Sequence, residues 1–356
     1  MRIIIVLMSL CFSNITWCQN FNAPKYSNEF MNIGIGARAL GMSNAVITST
    51  NDATSSFWNP GHLTEIDNDI QISLMHSEYF AGIAKFDFGS IAKTIDEKSA
   101  FGVSFIRFGV DNIPNTTELI DAQGNVNYDR ISYFSAADMA FLLSYGRKIK
   151  ENWMFGGSVK IIHRKVGDFA SAWGFGFDLS STYYKESWVF SCVARDVTST
   201  FNSWNYQLSD QMIETFTLTG NDIPNNSLEL TLPRIILGAS KNFELKNNLL
   251  LLVELNTDIT TDGQRNVLIA GDPFSIDPHL GFELNINNYV FIRSGLGNIQ
   301  KTYDLNNKSI VSIQPNIGVG LQIKGITIDY ALTDIGDASV ALYSNVFSLR
   351  INLNPN

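Results

Sequence analysis

Trp173-Gly174-Phe175-Gly176-Phe177-Asp178-Leu179-Ser180 is the stretch from which the fold is read. Its odd positions are Trp, Phe, Phe and Leu, and its even positions are Gly, Gly, Asp and Ser. This is a period of two, which a β-strand produces because successive side chains point to opposite faces. One face must meet something apolar; the other is small or polar. The same alternation returns in Asn316–Ile323. After a turn at Lys324-Gly325 it continues through Ile326, Ile328, Tyr330 and Leu332. It returns again where Ala137, Met139, Phe141, Leu143 and Tyr145 oppose Asp138, Ala140, Leu142 and Ser144.

Working outward, such segments fill the chain from about residue 69. Short links near 94–98, 147–151, 184–187, 245–248, 286–288 and 324–325 alternate with longer ones near 111–131, 166–170, 198–228, 259–276, 298–308 and 334–342. These twelve links join thirteen strands. One more at 69–77, reaching the next through a tight link at 77–79, makes fourteen. Tight turns alternating with long loops is the wiring of a transmembrane β-barrel, whose strand number is even and whose ends share the periplasmic side. Tyr145, Trp153, Tyr183, Tyr184, Trp188 and Tyr289 gather at the short links, as an interfacial girdle would. The competing soluble sandwich has no reason to collect aromatics at one class of turn. With the bulky face toward lipid, Lys85, Asp87, Asp138, Ser158, Lys160, Asp178, Glu254, Glu283, Asn285, Arg293, Asn316, Gln322 and Asp329 are expected to face the lumen. Arg107 has the parity of Phe101, Val103 and Phe105, so it is expected to snorkel outward or mark a bulge.

Composition agrees. Of 356 residues, 17% are charged, against roughly a quarter in ordinary soluble proteins. The net charge of −9 excludes nucleic acid as a partner, since that demands a basic face. Beyond the N-terminus no run approaches eighteen apolar residues, so a bundle of membrane helices is excluded. Residues 1–18 read as a secretory signal: Arg2, an apolar Ile3–Phe12, then Thr16 and Cys18 before a cleavage expected ahead of Gln19. Trp17 is too bulky for a lipobox, so Cys18 is not expected to be acylated. The mature chain then keeps only Cys192, which allows no internal disulfide.

Residues 19–68 are not strand-like and are the candidate filler of a lumen too wide for its own side chains. They contain Gly34-Ile35-Gly36-Ala37-Arg38-Ala39-Leu40-Gly41-Met42-Ser43-Asn44-Ala45, then Asn51-Asp52-Ala53, then Phe57-Trp58-Asn59-Pro60-Gly61-His62-Leu63. This block resembles the signature of the PorV/PorQ family of Bacteroidetes-type outer-membrane proteins, relatives of the FadL fatty-acid transporters. The pattern there is G-x-G-A-R-A-x-x-M-G-x-A, D-D-A and Y-W-N-P-A-G-L; Gly61-His62 departs from the usual Ala-Gly. The resemblance implies a fourteen-stranded FadL-like barrel (69–356) with an N-terminal hatch (19–68) in the lumen. It also implies a role in type IX secretion, as a PorV-like paralogue that binds or shuttles cargo with other outer-membrane or secretion proteins. The alternative it implies is a FadL-like transporter of hydrophobic small molecules.

No catalytic constellation is recognisable: the four histidines are scattered, and no H-E-x-x-H, G-x-S-x-G or P-loop pattern occurs. No enzyme activity, cofactor or metal is expected. Asp258, Asp262, Asp272 and Asp277 fit no calcium-loop spacing and read as solvated loop acids. Arg38 reads as half of a lumen ion pair, with Asp52 or a barrel carboxylate, or else as a ligand for an anionic headgroup. Asn59 and Pro60 read as the turn that stops the hatch helix, in a region that moves in a transporter. Trp204, Tyr206 and Phe216 lie in the long 198–228 link and are candidates for contact with a partner protein.

Overall fold

The computed structural model describes residues 27–67, 69–117, 119, 125–303, 309–333 and 343–353. The expected signal segment and cleavage site, and the last three residues, lie outside them. In chain order the strands are β1 (Ile70–Tyr79), β2 (Ala84–Asp96), β3 (Ser99–Asn115), β4 (Ser132–Lys150), β5 (Trp153–Val166), β6 (Ala170–Lys185), β7 (Trp188–Arg195) and β8 (Thr200–Tyr206). There follow β9 (Ser227–Thr231), β10 (Arg234–Glu244), β11 (Leu249–Thr260), β12 (Ser275–Ile286), β13 (Val290–Tyr303), β14 (Ser309–Ile323), β15 (Ile326–Thr333) and β16 (Ser344–Leu353). All pairings are antiparallel; β16 pairs with β1 and β5 with β6, which closes the ring.

Sixteen strand segments occupy fourteen positions. The lower half of β6 pairs with β7 and its upper half with β8, so β7 and β8 are one barrel strand interrupted at residues 196–199. β9 pairs with β8 and β10 with β7, so the next strand is interrupted at Leu232-Pro233. The 198–228 link is therefore not a loop throughout. It contains β8, helix α3 of the loop (Asp210–Leu218) and the start of β9.

The alternation of Trp173, Phe175, Phe177 and Leu179 outward against Gly174, Gly176, Asp178 and Ser180 inward is as expected. Cys192 is exposed on the outward face. Of the expected girdle, Tyr145, Trp153, Trp188 and Tyr289 are exposed, and Trp153 packs on Tyr183 at 5.2 Å. Tyr184 instead turns inward, reaching Glu65.

One stretch inverts the rule. On β2, Phe86 and Phe88 are buried inside while Lys85 and Asp87 face outward. Asp87 meets His76 at 2.7 Å and Arg107 at 3.7 Å; Arg107 and Lys85 each lie 3.8 Å or less from Asp111. The charges satisfy one another, and the aromatics gain an apolar surface inside, because the hatch presents one.

The hatch comprises a 3-10 turn at Glu29–Met31, α1 (Ala37–Gly41), α2 (Ser55–Trp58) and a 3-10 turn at Pro60–Glu65. α1 lies against β13–β16; α2 and the second turn lie against β3–β6. Phe30, Met31, Ile35, Leu40, Met42, Ile47, Phe57 and Trp58 form a core with Met75, Phe86, Phe88, Ile106, Leu142 and Ile162 of the wall. The first described residues sit in the half of the lumen nearer the long links: Ser27 bonds Glu229 and Thr231, and Glu29 pairs with Arg265. The hatch ends at the short-turn rim, where Asp69 accepts from the backbone of Thr94.

Candidate functional site

The hatch is fixed by charges that no solvent reaches easily. Arg38 on α1 donates to both oxygens of Glu283, at 2.8 and 3.1 Å, and to Ser49. Glu283 also accepts from Arg293 at 2.6 Å, and Arg293 reaches Asp329 at 2.6 Å. Arg350 pairs with Asp52 at 3.2 Å. Bidentate, charge-assisted bonds of this kind fix geometry as well as adding energy. Glu254 accepts from the backbone of Thr48 at 2.8 Å. At the other end Asn59 is fully buried; its amide donates to Ile47, Thr182 and Ser191, and its oxygen accepts from Gly61. His62 donates from Nδ1 to the Thr50 carbonyl at 2.7 Å, and burial holds its imidazole below the usual range.

Between the hatch and the long links lies a cavity of about 740 Å3. Its apolar lining is Met31, Ile33, Leu40, Ile47 and Trp58 of the hatch, with Tyr79, Phe80, Phe108 and Ile236 of the wall. Trp58 cannot swing freely, because its indole donates to the Ile35 carbonyl at 3.0 Å. The polar lining includes Arg195, Arg234, Asp258, Asp277, His279 and Asn316. Arg234 pairs with Asp258 at 3.1 Å, and His279 lies 3.6 Å from Asp277. Arg265, held by Asp262 at 2.6 Å and Glu29 at 3.0 Å, closes part of the rim. The cavity thus joins an apolar floor on the hatch to a wall and rim that are mostly polar, with Asn266, Gln300 and Gln314 among them.

The residues singled out from sequence lie elsewhere. Arg38 is the ion-paired residue expected, with Glu283 as its acid; Asp52 belongs to Arg350. A headgroup on Arg38 would have to displace Glu283. Asn59 and Pro60 hold the hatch against β5 and β6 and do not border the cavity. Trp204 and Tyr206 are strand residues of β8, stacked at 6.0 Å, with the Trp204 indole donating to Glu229 at 2.7 Å. Arg164 lies 5.0 Å from the Trp204 ring. These two side chains are thus part of a packed cluster, not a free loop surface, because the strand continues through the expected loop. Phe216 is half-buried on α3, whose Ile213 and Leu218 are exposed. Sequence reasoning missed Arg195, Arg234, His279 and the cavity-facing hatch residues. The one available signal was the loss of alternation after Arg195, where four residues break the strand.

No known family model matches the chain, and no curated protein does. Its fold is similar to that of solved channel and transporter proteins. The CymD monoaromatic hydrocarbon channel is 12% identical at a TM-score of 0.55, over 91% of this chain and 98% of that one. The toluene transporter TodX of P. putida is 11% identical at 0.56, over 91% and 99%. A FadL homologue of Pseudomonas aeruginosa is 13% identical at 0.51, over 89% and 98%. At such identities the likeness concerns the fold: a closed fourteen-stranded antiparallel barrel of FadL type.

Proposed function

We propose that this chain is an outer-membrane conduit, with its C-terminus and the maturation site of its N-terminus periplasmic. It admits small, largely apolar molecules into the cavity above the hatch and passes them on when the hatch shifts. The observation that carries this reading is the cavity itself, whose floor is formed by apolar side chains of the hatch. The structural neighbours, a monoaromatic hydrocarbon channel and a toluene transporter, support it. The test is uptake of radiolabelled toluene by bacteria with and without the barrel in the outer membrane. Uptake should rise with the barrel and fall back when Ile47→Trp fills the cavity floor. No rise above barrel-free cells would reject the reading.

A second reading rests on the hatch signature, which resembles the PorV/PorQ family: a binding or shuttle subunit of type IX secretion. The outward charges of β1–β3 and the exposed Ile213 and Leu218 on α3 favour it, since both suit protein contact better than lipid or water alone. Deleting residues 208–222 should then abolish co-purification of outer-membrane partners while the barrel still assembles.

A further inference from the structure

β13 breaks its own alternation where it meets the cavity. Arg293, Gly295 and Gly297 are buried on the inward face, so a period of two would carry Ile299 inward next. The pairing with β14 slips there instead, between Gly297 and Gln300, and Asn298 takes a left-handed φ of 49°. The cavity is therefore lined by Asn298 and Gln300, and not by Ile299. A β-bulge re-aims side chains in this way beside functional sites.

The side chains so delivered join a relay of carboxamides. The Gln300 amide donates to Asn298 Oδ1 at 2.6 Å, and the Asn298 amide donates to Gln314 Oε1 at 2.7 Å. Two residues further along β14, Asn316 donates to Ser43 Oγ of the hatch at 2.7 Å. Seven of the 28 residues lining the cavity are Asn or Gln, against 44 of 356 in the chain, so composition alone does not supply this wall. Its charged lining is balanced among the described residues: Arg195, Arg234 and Arg265 stand against Glu29, Asp258 and Asp277.

A carboxamide holds N–H donors and an acceptor oxygen side by side, and neighbouring hydroxyls of a sugar present the complementary acceptor and donor. A wholly apolar occupant of a 740 Å3 cavity would strip water from these amides and return no hydrogen bond, which is costly. The same cavity offers the rings of Tyr79, Phe80 and Phe108, whose faces suit the C–H face of a sugar ring. We infer that the cavity is a saccharide site: it takes a neutral, hydroxyl-rich molecule bearing an apolar group, with the hydroxyls on the carboxamide wall and the apolar group on the hatch floor. This rests on the conduit reading and names the class of molecule for the same cavity.

Phenyl β-D-glucoside and toluene share an aromatic ring and differ in the sugar. Binding of each to the purified full barrel in lipid nanodiscs, free of sugar detergents, is measured by calorimetry. The variants are Gln300→Met and the double exchange Gln300→Met/Gln314→Met, which remove the amides at little change in volume. Wild type should bind the glucoside about tenfold or more tighter than toluene. The double variant should lose about tenfold in glucoside affinity and Gln300→Met part of that, with toluene affinity within about twofold throughout. A glucoside that binds wild type no better than toluene, or binds the double variant unchanged, would overturn the inference. So would an equal loss of both probes in a variant that keeps its heat-dependent electrophoretic migration. Phenyl β-D-glucuronide, the same molecule with a carboxylate, should bind no tighter than the glucoside; tighter binding would mean that the wall selects charge and not hydroxyls. Glucoside binding without any toluene uptake would leave the saccharide site standing and reject the conduit; toluene uptake without glucoside binding would do the reverse.

Discussion

Glu283 is the residue on which most of the hatch's charge depends, since Arg38 and Arg293 both close on it. Removing one member of a buried ion network costs about 3–5 kcal/mol, because the partners stay buried without it. Glu283→Gln should therefore loosen α1 while the hydrogen-bonded ring remains. The expected outcome is a rise in single-channel conductance in planar bilayers, with unchanged heat-dependent electrophoretic migration. His62 makes a second, pH-dependent point. Its folded-state value is depressed below 6.5 by burial, so the unfolded chain takes up the proton first as pH falls. The stability it permits is complete above about pH 6.5 and is lost as pH drops toward the folded value. His62→Gln should flatten the pH dependence of hatch stability across that window, measured by hydrogen exchange at residues 50–62. An unaltered pH profile would assign the dependence to other groups.

At the scale of elements, the hatch docks where the wall has no side chains. A Cβ on Gly156 would overlap the backbone of Gly61, and one on Gly146 would overlap the Pro60 carbonyl. Gly156→Val should therefore expel the Pro60–Glu65 turn without breaking β5, whose outward face is untouched. The check is protease cleavage within residues 55–66 of an assembled barrel; continued protection would mean the turn re-docks. The strands themselves were legible because one apolar neighbour, outside the wall, imposes a strict period of two. The reading failed where a second apolar neighbour appeared inside. On β2 the hatch rewards inward Phe86 and Phe88, and the same alternation then carries Lys85 and Asp87 outward. It also failed at residues 196–199 and 232–233, where a break shifts the phase and hides β8 and β9 inside an apparent loop. Trp204 and Tyr206 looked like loop aromatics for that reason.

For the whole molecule, the site was far less legible than the fold. The hatch block shows in the sequence as one contiguous motif, so Arg38 and Asn59 could be singled out. The cavity is assembled from residues as distant as Met31, Arg195, His279 and Asn316, and no linear pattern unites them. In the conduit reading passage depends on hatch movement, because the hatch core packs against the wall below the cavity. Ser56 on α2 and Ser104 on β3 share a hydrogen bond between their hydroxyls, so their Cβ atoms are close enough for a crosslink. A Ser56→Cys/Ser104→Cys pair, made with Cys192→Ser to remove the outward thiol, would tie the hatch to the wall when oxidised. Filling of the cavity needs no hatch movement, so the oxidised barrel should still bind toluene with wild-type affinity. Transfer across the membrane does need it, so uptake should fall to the level of barrel-free cells and recover on reduction. Uptake that is indifferent to the crosslink would show that molecules leave the cavity by a route the hatch does not control. The hatch would then be a fixed scaffold, as the secretion-partner reading requires.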